Sequence, residues 1–494
     1  MSKSPRETGL LPVLSIERFR RAASSLPLLL PVLLLLPKIS AVVPRVPYLH
    51  NGREIANAFR SIAIVHFGLN AFHVVLPGES YAGVGLYQLL CAPLVRLGFI
   101  SGGRMISLLS AVLTAIILYK IVSKWESHWV AVLGVAVMFA QPIYWDMAVG
   151  IKPEALSILF VVFCIWQGQK YVMEKNRASL IWCFIGVFFG TLNHGWEAFV
   201  LLPLGFLLLR YKHRGIFIYL ILVAICCVAA NKLFTYVTGV PPLLKATFNS
   251  YSVFFHYRLL FQPGFWISRT QPVNLADLTS VGDIYLSAVL LACLISGVIL
   301  FIRPRKPYDR FLSVWLFSGA AIPLMFPRGF AVHAYYGWAM LAPLSVTASI
   351  AFSRLCIKLV SPRNVSTVLF LVSMLVILIA SAGILVDNRP IPGVLQAQHD
   401  GLMFRSALLE RKLEMKDVAI VVAPDAEKFT SPQYTFLLYS QIVPLGYDAV
   451  LCPTTSSFSP TVFKSFEAAK RSAAKVIIVF SNRSFTPVAQ VVWK

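Results

Sequence analysis

Two carboxylates, Glu54 and Glu154, are the residues of this chain best placed to do chemistry. A count of hydrophobic segments puts both on the same, outward face of a membrane. Glu54 follows the first apolar segment, and Glu154 heads a later one in the run Gly150-Ile151-Lys152-Pro153-Glu154. An ionisable group at a membrane boundary is costly unless it pairs, meets water or takes part in a reaction. Each acid also has a structural reading. Acids favour the first turn of a helix, and a proline such as Pro153 favours a helix start. Lys152, two residues before Glu154, reads either as a lipid-headgroup contact or as a cation that captures phosphate.

The elements that must position these residues are membrane spans. Hydrophobic residues make up 57% of the 494, charged residues only 13%, and mean hydropathy is +0.73; soluble domains carry about twice that charge. A span needs roughly 20 mostly apolar residues, and the chain offers about eleven candidates. They are Ser25–Val43, Arg104–Val122, His128–Met147, Pro153–Gln167, Leu180–Leu192, Trp196–Leu209, Gly215–Tyr236, Ile284–Ile302, Phe311–Phe326, Tyr335–Phe352 and Ser366–Val386. The first lacks a small-residue cleavage site and ends in Pro37-Lys38, so it reads as a retained anchor.

Orientation follows from the distribution of Lys and Arg in short loops. With the N-terminus inside, the inner loops are Lys120–Trp125, Lys170–Arg177, Arg210–Arg214, Arg303–Arg310 and Arg354–Arg363, and every one is basic. The outer loops carry Glu54, Glu79, Asp146, Glu154, Asp277 and Asp283. The net charge of +23 is therefore topology and not a nucleic-acid footprint. The eight cysteines show neither a disulfide framework nor a metal-binding spacing.

Three regions follow. Residues 1–24 form a basic cytoplasmic or interfacial arm. Residues 25–386 form the membrane body, with long outer loops at 44–103 and 238–282. Within the first loop, Glu54–Phe67 and Val84–Leu97 read as helices lying in the interface; the second loop has the length of a mobile lid. Residues 387–494 change composition and read as a small extracytoplasmic α/β domain. Its strands are expected at Val418–Ala423 and Lys475–Phe480, and its helices at Met403–Leu413 and Phe463–Ala474. The fold class is thus an α-helical polytopic membrane protein with a small C-terminal α/β domain.

The order of features along the chain is distinctive. An acid follows the first span and two juxtamembrane helices come next. An arginine-headed span opens at Arg104-Met105-Ile106-Ser107, the Pro153-Glu154 pair heads the fourth span, and Tyr335-Tyr336 precedes Pro343. In this order they resemble the integral-membrane GT-C glycosyltransferases, in the protein O-mannosyltransferase and aminoarabinose-transferase-like branch, over roughly Leu26 to Phe352. That family opens its first loop with Asp-Glu, the Asp being a catalytic carboxylate. Here the pair is Arg53-Glu54, so either Glu54 takes the role or the chemistry is altered.

The resemblance implies transfer of a sugar from a polyprenyl-phosphate donor to an acceptor glycan, lipid or protein. Glu54 would act as general base and Glu154 would orient the acceptor or stabilise charge at the sugar. Lys152, Arg104 and Arg328 would hold the donor phosphate. His333, His194, Glu197 and Tyr336 would line the cavity. The structural alternatives are an interface anchor for Arg104, satisfied histidines at His333 and His194, and an interfacial aromatic belt that includes Tyr336. No cofactor is implied, and the lack of an Asp-x-Asp motif near the first loop leans towards metal independence. The expected location is a bacterial or archaeal plasma membrane, and the other expected partners are membrane lipids. Two rival readings are a transporter or flippase, which would place ionisable groups mid-membrane, and a non-catalytic scaffold of the same fold.

Overall fold

A computed structural model of the chain describes residues 85–97, 102–237, 257–267, 281–332 and 334–387, together with positions 57, 60, 61, 64 and 65. In the C-terminal part it describes 410–411, 418–422, 461–463, 467, 470–471, 475–483 and 486–493. Glu54, Arg53, His333, the arm 1–24 and the segment Ser25–Val43 lie outside the described residues.

Fourteen helices order the membrane body among the described residues: α1 (Leu86–Arg96), α2 (Gly102–Ser123), α3 (His128–Ala140), α4 (Pro142–Val149), α5 (Pro153–Glu174), α6 (Arg177–Asn193), α7 (Leu201–Arg210), α8 (Arg214–Val237), α9 (Pro263–Ile267), α10 (Val281–Ile302), α11 (Asp309–Met325), α12 (Pro327–Val332), α13 (Trp338–Leu359) and α14 (Pro362–Asp387). By length and apolarity, α2, α5, the stretch Tyr285–Ile302 of α10, and α13 each suffice to cross a membrane. Their outward faces are apolar as well: Leu109, Leu113, Ile295, Val298 and Ile299 are exposed, which suits lipid and not water.

The expected span His128–Met147 is not one straight rod. It is two helices, α3 and α4, bent by 74° at Gln141, whose backbone is extended (φ −78°, ψ 120°). Pro142 explains the break, because a proline pushes the preceding residue out of helical conformation. Likewise Trp196–Leu209 opens with a 3-10 turn, Gly195–Val200, before α7 begins. Helix α1 has 11 residues, about 16 Å of helix, too short for a hydrocarbon core of about 30 Å.

Polar side chains inside the bundle satisfy themselves locally. Ser110, Thr114, Ser345 and Thr347 each donate to the carbonyl four residues back, which costs little where no water is present. Helices approach closely where side chains are absent. Pro343 has no N–H to give the carbonyl of Ala339, and α11 presents Gly319 at that spot. A Cβ added to Gly319 would lie 2.6 Å from Ala339 O and 3.0 Å from Met340 Cα. Backbone cannot yield as a side chain does. Gly319→Ala is therefore expected to force α11 and α13 apart at a cost of about 1–3 kcal/mol, read as a lower melting temperature. Gly215→Ala, with nothing within 4 Å of its added methyl, is the control and leaves stability unchanged or slightly raised.

The two ends of the bundle differ in chemistry. All five basic loops meet at one end and are tied in sequence around it. Lys124 pairs with Glu174 at 3.0 Å, and Tyr171 hydrogen-bonds His213 at 3.4 Å. Arg210 donates to Pro307 O, Lys306 pairs with Glu126 at 2.8 Å, and Arg354 pairs with Asp309 at 2.6 Å. Trp125 stacks on Tyr308 with ring centroids 5.2 Å apart. The loop that opens α5 and the segment between α6 and α7 therefore lie at the opposite end.

Among the described residues of the C-terminal part, four strands form one sheet in the order β2-β1-β3-β4, with β1 Val418–Val422, β2 Thr461–Phe463, β3 Val476–Arg483 and β4 Thr486–Trp493. β1 pairs parallel with β2 and with β3, whereas β3 and β4 pair antiparallel. β1 and β3 stand on the β-branched runs expected to be strands. Phe463, expected to open a helix, instead ends β2. Met403–Leu413 falls mostly outside the described residues.

Candidate functional site

At the end of the bundle opposite the basic loops, the segment 150–154 is held from three sides. From the first long loop, Asn57 donates its Nδ2 to Ile151 O at 2.8 Å. Gln88 of α1 fixes that amide by donating to Asn57 Oδ1 at 2.8 Å, and Gln88 Oε1 accepts from Gly85 N at 2.9 Å. From α2, Ser107 donates to Lys152 O at 3.3 Å. Tyr87 hydrogen-bonds Ser107 Oγ at 2.7 Å and donates to Gly103 O at 2.6 Å. From the end of α6, Asn193 Nδ2 reaches Pro153 O at 3.2 Å, Ser157 Oγ at 2.9 Å and Glu197 Oε1 at 3.0 Å.

This frame needs small residues at fixed places. A Cβ at Gly103 would lie 2.5 Å from Ile151 Cγ2, and one at Gly190 would lie 2.4 Å from Glu197 Oε2. Both glycines let a neighbour occupy the space a side chain would fill. Lys152 forms the N-cap of α5 and Glu154 lies in its first turn, where a helix N-terminus favours negative charge.

Burial raises the stakes. Glu154 and Arg104 are fully buried at 0% exposure, Lys152 is at 5% and Glu197 at 2%. Buried charge is retained only where paired, hydrogen-bonded or used. The Asn193 amide links Glu197 to the carbonyl of Pro153, the residue before Glu154, so two acids share this end of the bundle. His194, the C-cap of α6, sits between Asn193 and that second acid in sequence. The arrangement offers buried cations (Arg104, Lys152) for an anion and buried carboxylates (Glu154, Glu197) for a hydroxyl.

Five expected site residues therefore gather on adjoining elements: Arg104, Lys152, Glu154, His194 and Glu197. Two lie on or beside α12. Tyr336, at 6% exposure, packs its ring on Gly329 and near Phe326, with ring centroids 6.1 Å apart. Arg328, on α12, is exposed. Sequence reasoning did not single out Asn57, Gln88, Asn193 or Ser157. Asn193 was visible beside His194 and Glu197, but the three acceptors within reach of its amide were not. Removing that donor by Asn193→Leu is expected to cost about 1–3 kcal/mol, read as a lower melting temperature.

Residues 98–234 match the sequence profile of the dolichyl-phosphate-mannose–protein mannosyltransferase family. No curated protein matches the chain by sequence. In three dimensions it is similar to ArnT from Cupriavidus metallidurans bound to undecaprenyl phosphate, with TM-score 0.54, 11% identity, and 91% of this chain and 92% of ArnT covered. The apo state of the same protein matches with TM-score 0.51 over the same shares of both chains. The profile match spans the α2, α5 and α6 parts of the buried frame but neither Asn57 nor α1, and the fold likeness extends over most of the molecule. Residues 98–234 thus carry the profile of that mannosyltransferase family, and the chain as a whole has a fold similar to that of ArnT, with helices long and apolar enough to cross a membrane.

Proposed function

We propose that this chain is a glycosyltransferase that moves a sugar from a polyprenyl-phosphate donor to an acceptor on the outer side of the membrane. The observation that carries the reading is the frame around 150–154, where Lys152 and Glu154 are buried against α2, the helix that carries buried Arg104, away from the basic loops. The undecaprenyl phosphate bound to ArnT supports the choice of donor class.

In this reading the acceptor hydroxyl attacks the anomeric carbon while the bond from that carbon to the phosphate oxygen breaks. Glu54 takes the hydroxyl proton, and the polyprenyl phosphate leaves with its electron pair. Arg104 and Lys152 hold the leaving phosphate, because fixed cations in a site of low dielectric stabilise charge without reorganising. Arg328 is a further candidate for that role. Glu154 orients the acceptor or offsets positive charge at the sugar, and His194, Glu197, His333 and Tyr336 line the cavity.

By the positive-inside rule the basic end faces the cytosol, which puts the arm 1–24 inside. About eleven spans in the membrane body 25–386 then put 387–494 outside as an α/β domain. The acceptor is a glycan, lipid or protein. The test is sugar transfer from a defined polyprenyl-phosphate sugar by purified full-length chain and its Glu54→Gln and Glu154→Gln variants. Loss of transfer with the fold intact supports the reading, and undiminished transfer overturns the site.

A further inference from the structure

A cavity of about 230 Å³ opens at the basic end of the bundle, far from the acids discussed above. It is lined by Lys124, Trp166, Gln169, Lys170, Met173 and Glu174. Five of these recur at helical spacing along one face of α5, and Lys124 closes the cavity just beyond α2.

Gln169 is the informative residue. It is 4% exposed, yet neither its Nε2 nor its Oε1 has a hydrogen-bond partner among the described residues. A buried amide with both ends unsatisfied is costly, and here it faces a space large enough to hold a partner. The surroundings are cationic. Lys120 and Lys170 place their Nζ 5.0 and 4.9 Å from the centre of the Trp166 ring. Lys124 contacts Glu174 at 3.0 Å. Three lysines against one glutamate leave the cavity positive. Trp166 adds the amphipathic ring typical of a membrane–water interface, and half-exposed Met173 adds an apolar wall.

We propose that this cavity binds a phosphate-bearing anion at the membrane surface. The phosphate would sit between Lys170 and Lys124 and accept a hydrogen bond from Gln169 Nε2. Gln169 Oε1 would accept from a hydroxyl of the same ligand. An anionic phospholipid headgroup and free phosphate share this chemistry, so the experiment separates them. The site is independent of the proposed transfer reaction and lies at the other end of the bundle.

Purified full-length chain, stripped of lipid in detergent, is titrated separately with phosphatidylglycerol, phosphatidylcholine and inorganic phosphate while its melting temperature is followed. Phosphatidylglycerol is expected to raise the melting temperature where phosphatidylcholine does not. Gln169→Leu and Lys170→Ala should each weaken that response by roughly tenfold. Gln169→Leu should also raise the melting temperature of the lipid-free protein, because it removes the unsatisfied amide. Removal of two exposed charges at the same end, Arg303→Ala with Lys358→Ala, should leave the response unchanged. Sugar transfer measured at saturating lipid should not change in either cavity variant, which keeps this inference separable from the transfer reading. A response to inorganic phosphate that the same variants abolish assigns the site to free phosphate. Variants that respond like the wild type, or a wild type that responds to neither anion, overturn the proposal.

Discussion

Glu54→Gln is expected to lower sugar transfer by roughly a hundred- to ten-thousand-fold, the usual contribution of a positioned general base. Glu154→Gln is expected to lower it by roughly a hundred- to a thousand-fold, as befits a group that stabilises charge in a dry site. Neither change alters side-chain shape, so each variant should keep its stability within about 1 kcal/mol. The double variant should fall little below the worse single one, because residues acting on one transition state do not contribute additively. A capping role for Glu154 gives a different pattern. A lost first-turn acid weakens a helix by about 0.3–1 kcal/mol, which would lower the melting temperature slightly and leave transfer intact. Steady-state transfer and thermal unfolding, measured on the same preparations, separate the two.

Breaking the pair Asp309–Arg354 is expected to be among the most damaging changes to stability. Asp309 is fully buried and receives two hydrogen bonds from Arg354, at 2.6 and 3.1 Å. It also accepts from the backbone N–H groups of Arg305 at 2.7 Å and Lys306 at 3.0 Å. Arg354→Ala leaves that carboxylate in place without its cation, a situation that costs about 3–5 kcal/mol. The loss is read from denaturant or thermal unfolding in detergent. Lys124→Ala, which breaks a half-exposed pair, should cost under about 1 kcal/mol.

The same pair makes stability depend on pH. Burial disfavours the ionised Asp309 carboxylate, but Arg354 and the two N–H groups outweigh it and hold its pKa below the ordinary value. A group whose pKa is depressed by folding stabilises the folded state fully above its unfolded value, about 3.9. That stabilisation is lost as pH falls through the lower, folded-state value. Acid should therefore erode wild-type stability below about pH 4, and Asp309→Asn should flatten that part of the profile.

How much of this was written in the sequence depends on the range of the interaction. The segregation of basic loops was legible because it is a property of charge along the chain, and the structure gathers all five loops at one end. The acids that tie them were not legible. Glu126, Glu174 and Asp309 sit among basic residues, and only three-dimensional pairing across as many as 180 positions, as for Lys306 and Glu126, gives them a role. The break at Gln141 carried a local signal in Pro142 that hydropathy alone passes over. Lys152 and Glu154 were legible as a Pro-flanked charged pair at a helix start. The frame that holds them was not, since Asn57 reaches Ile151 across 94 positions and a lone asparagine on an amphipathic helix announces no partner. Arg328 and Tyr336 follow the resemblance in sequence; Tyr336 packs on Gly329 of α12, and Arg328 on the same helix is exposed.

The central claim is most directly tested by a cryo-electron microscopy structure of the full chain with polyprenyl phosphate bound. The phosphate is expected within about 4 Å of Lys152 Nζ or the Arg104 guanidinium, the range of a charge-assisted contact, with Glu54 and Glu154 opening onto the same cleft. A polyprenyl phosphate whose phosphate lies away from both Arg104 and Lys152, or a Glu54 carboxylate turned away from Glu154 with no cleft between them, would contradict it.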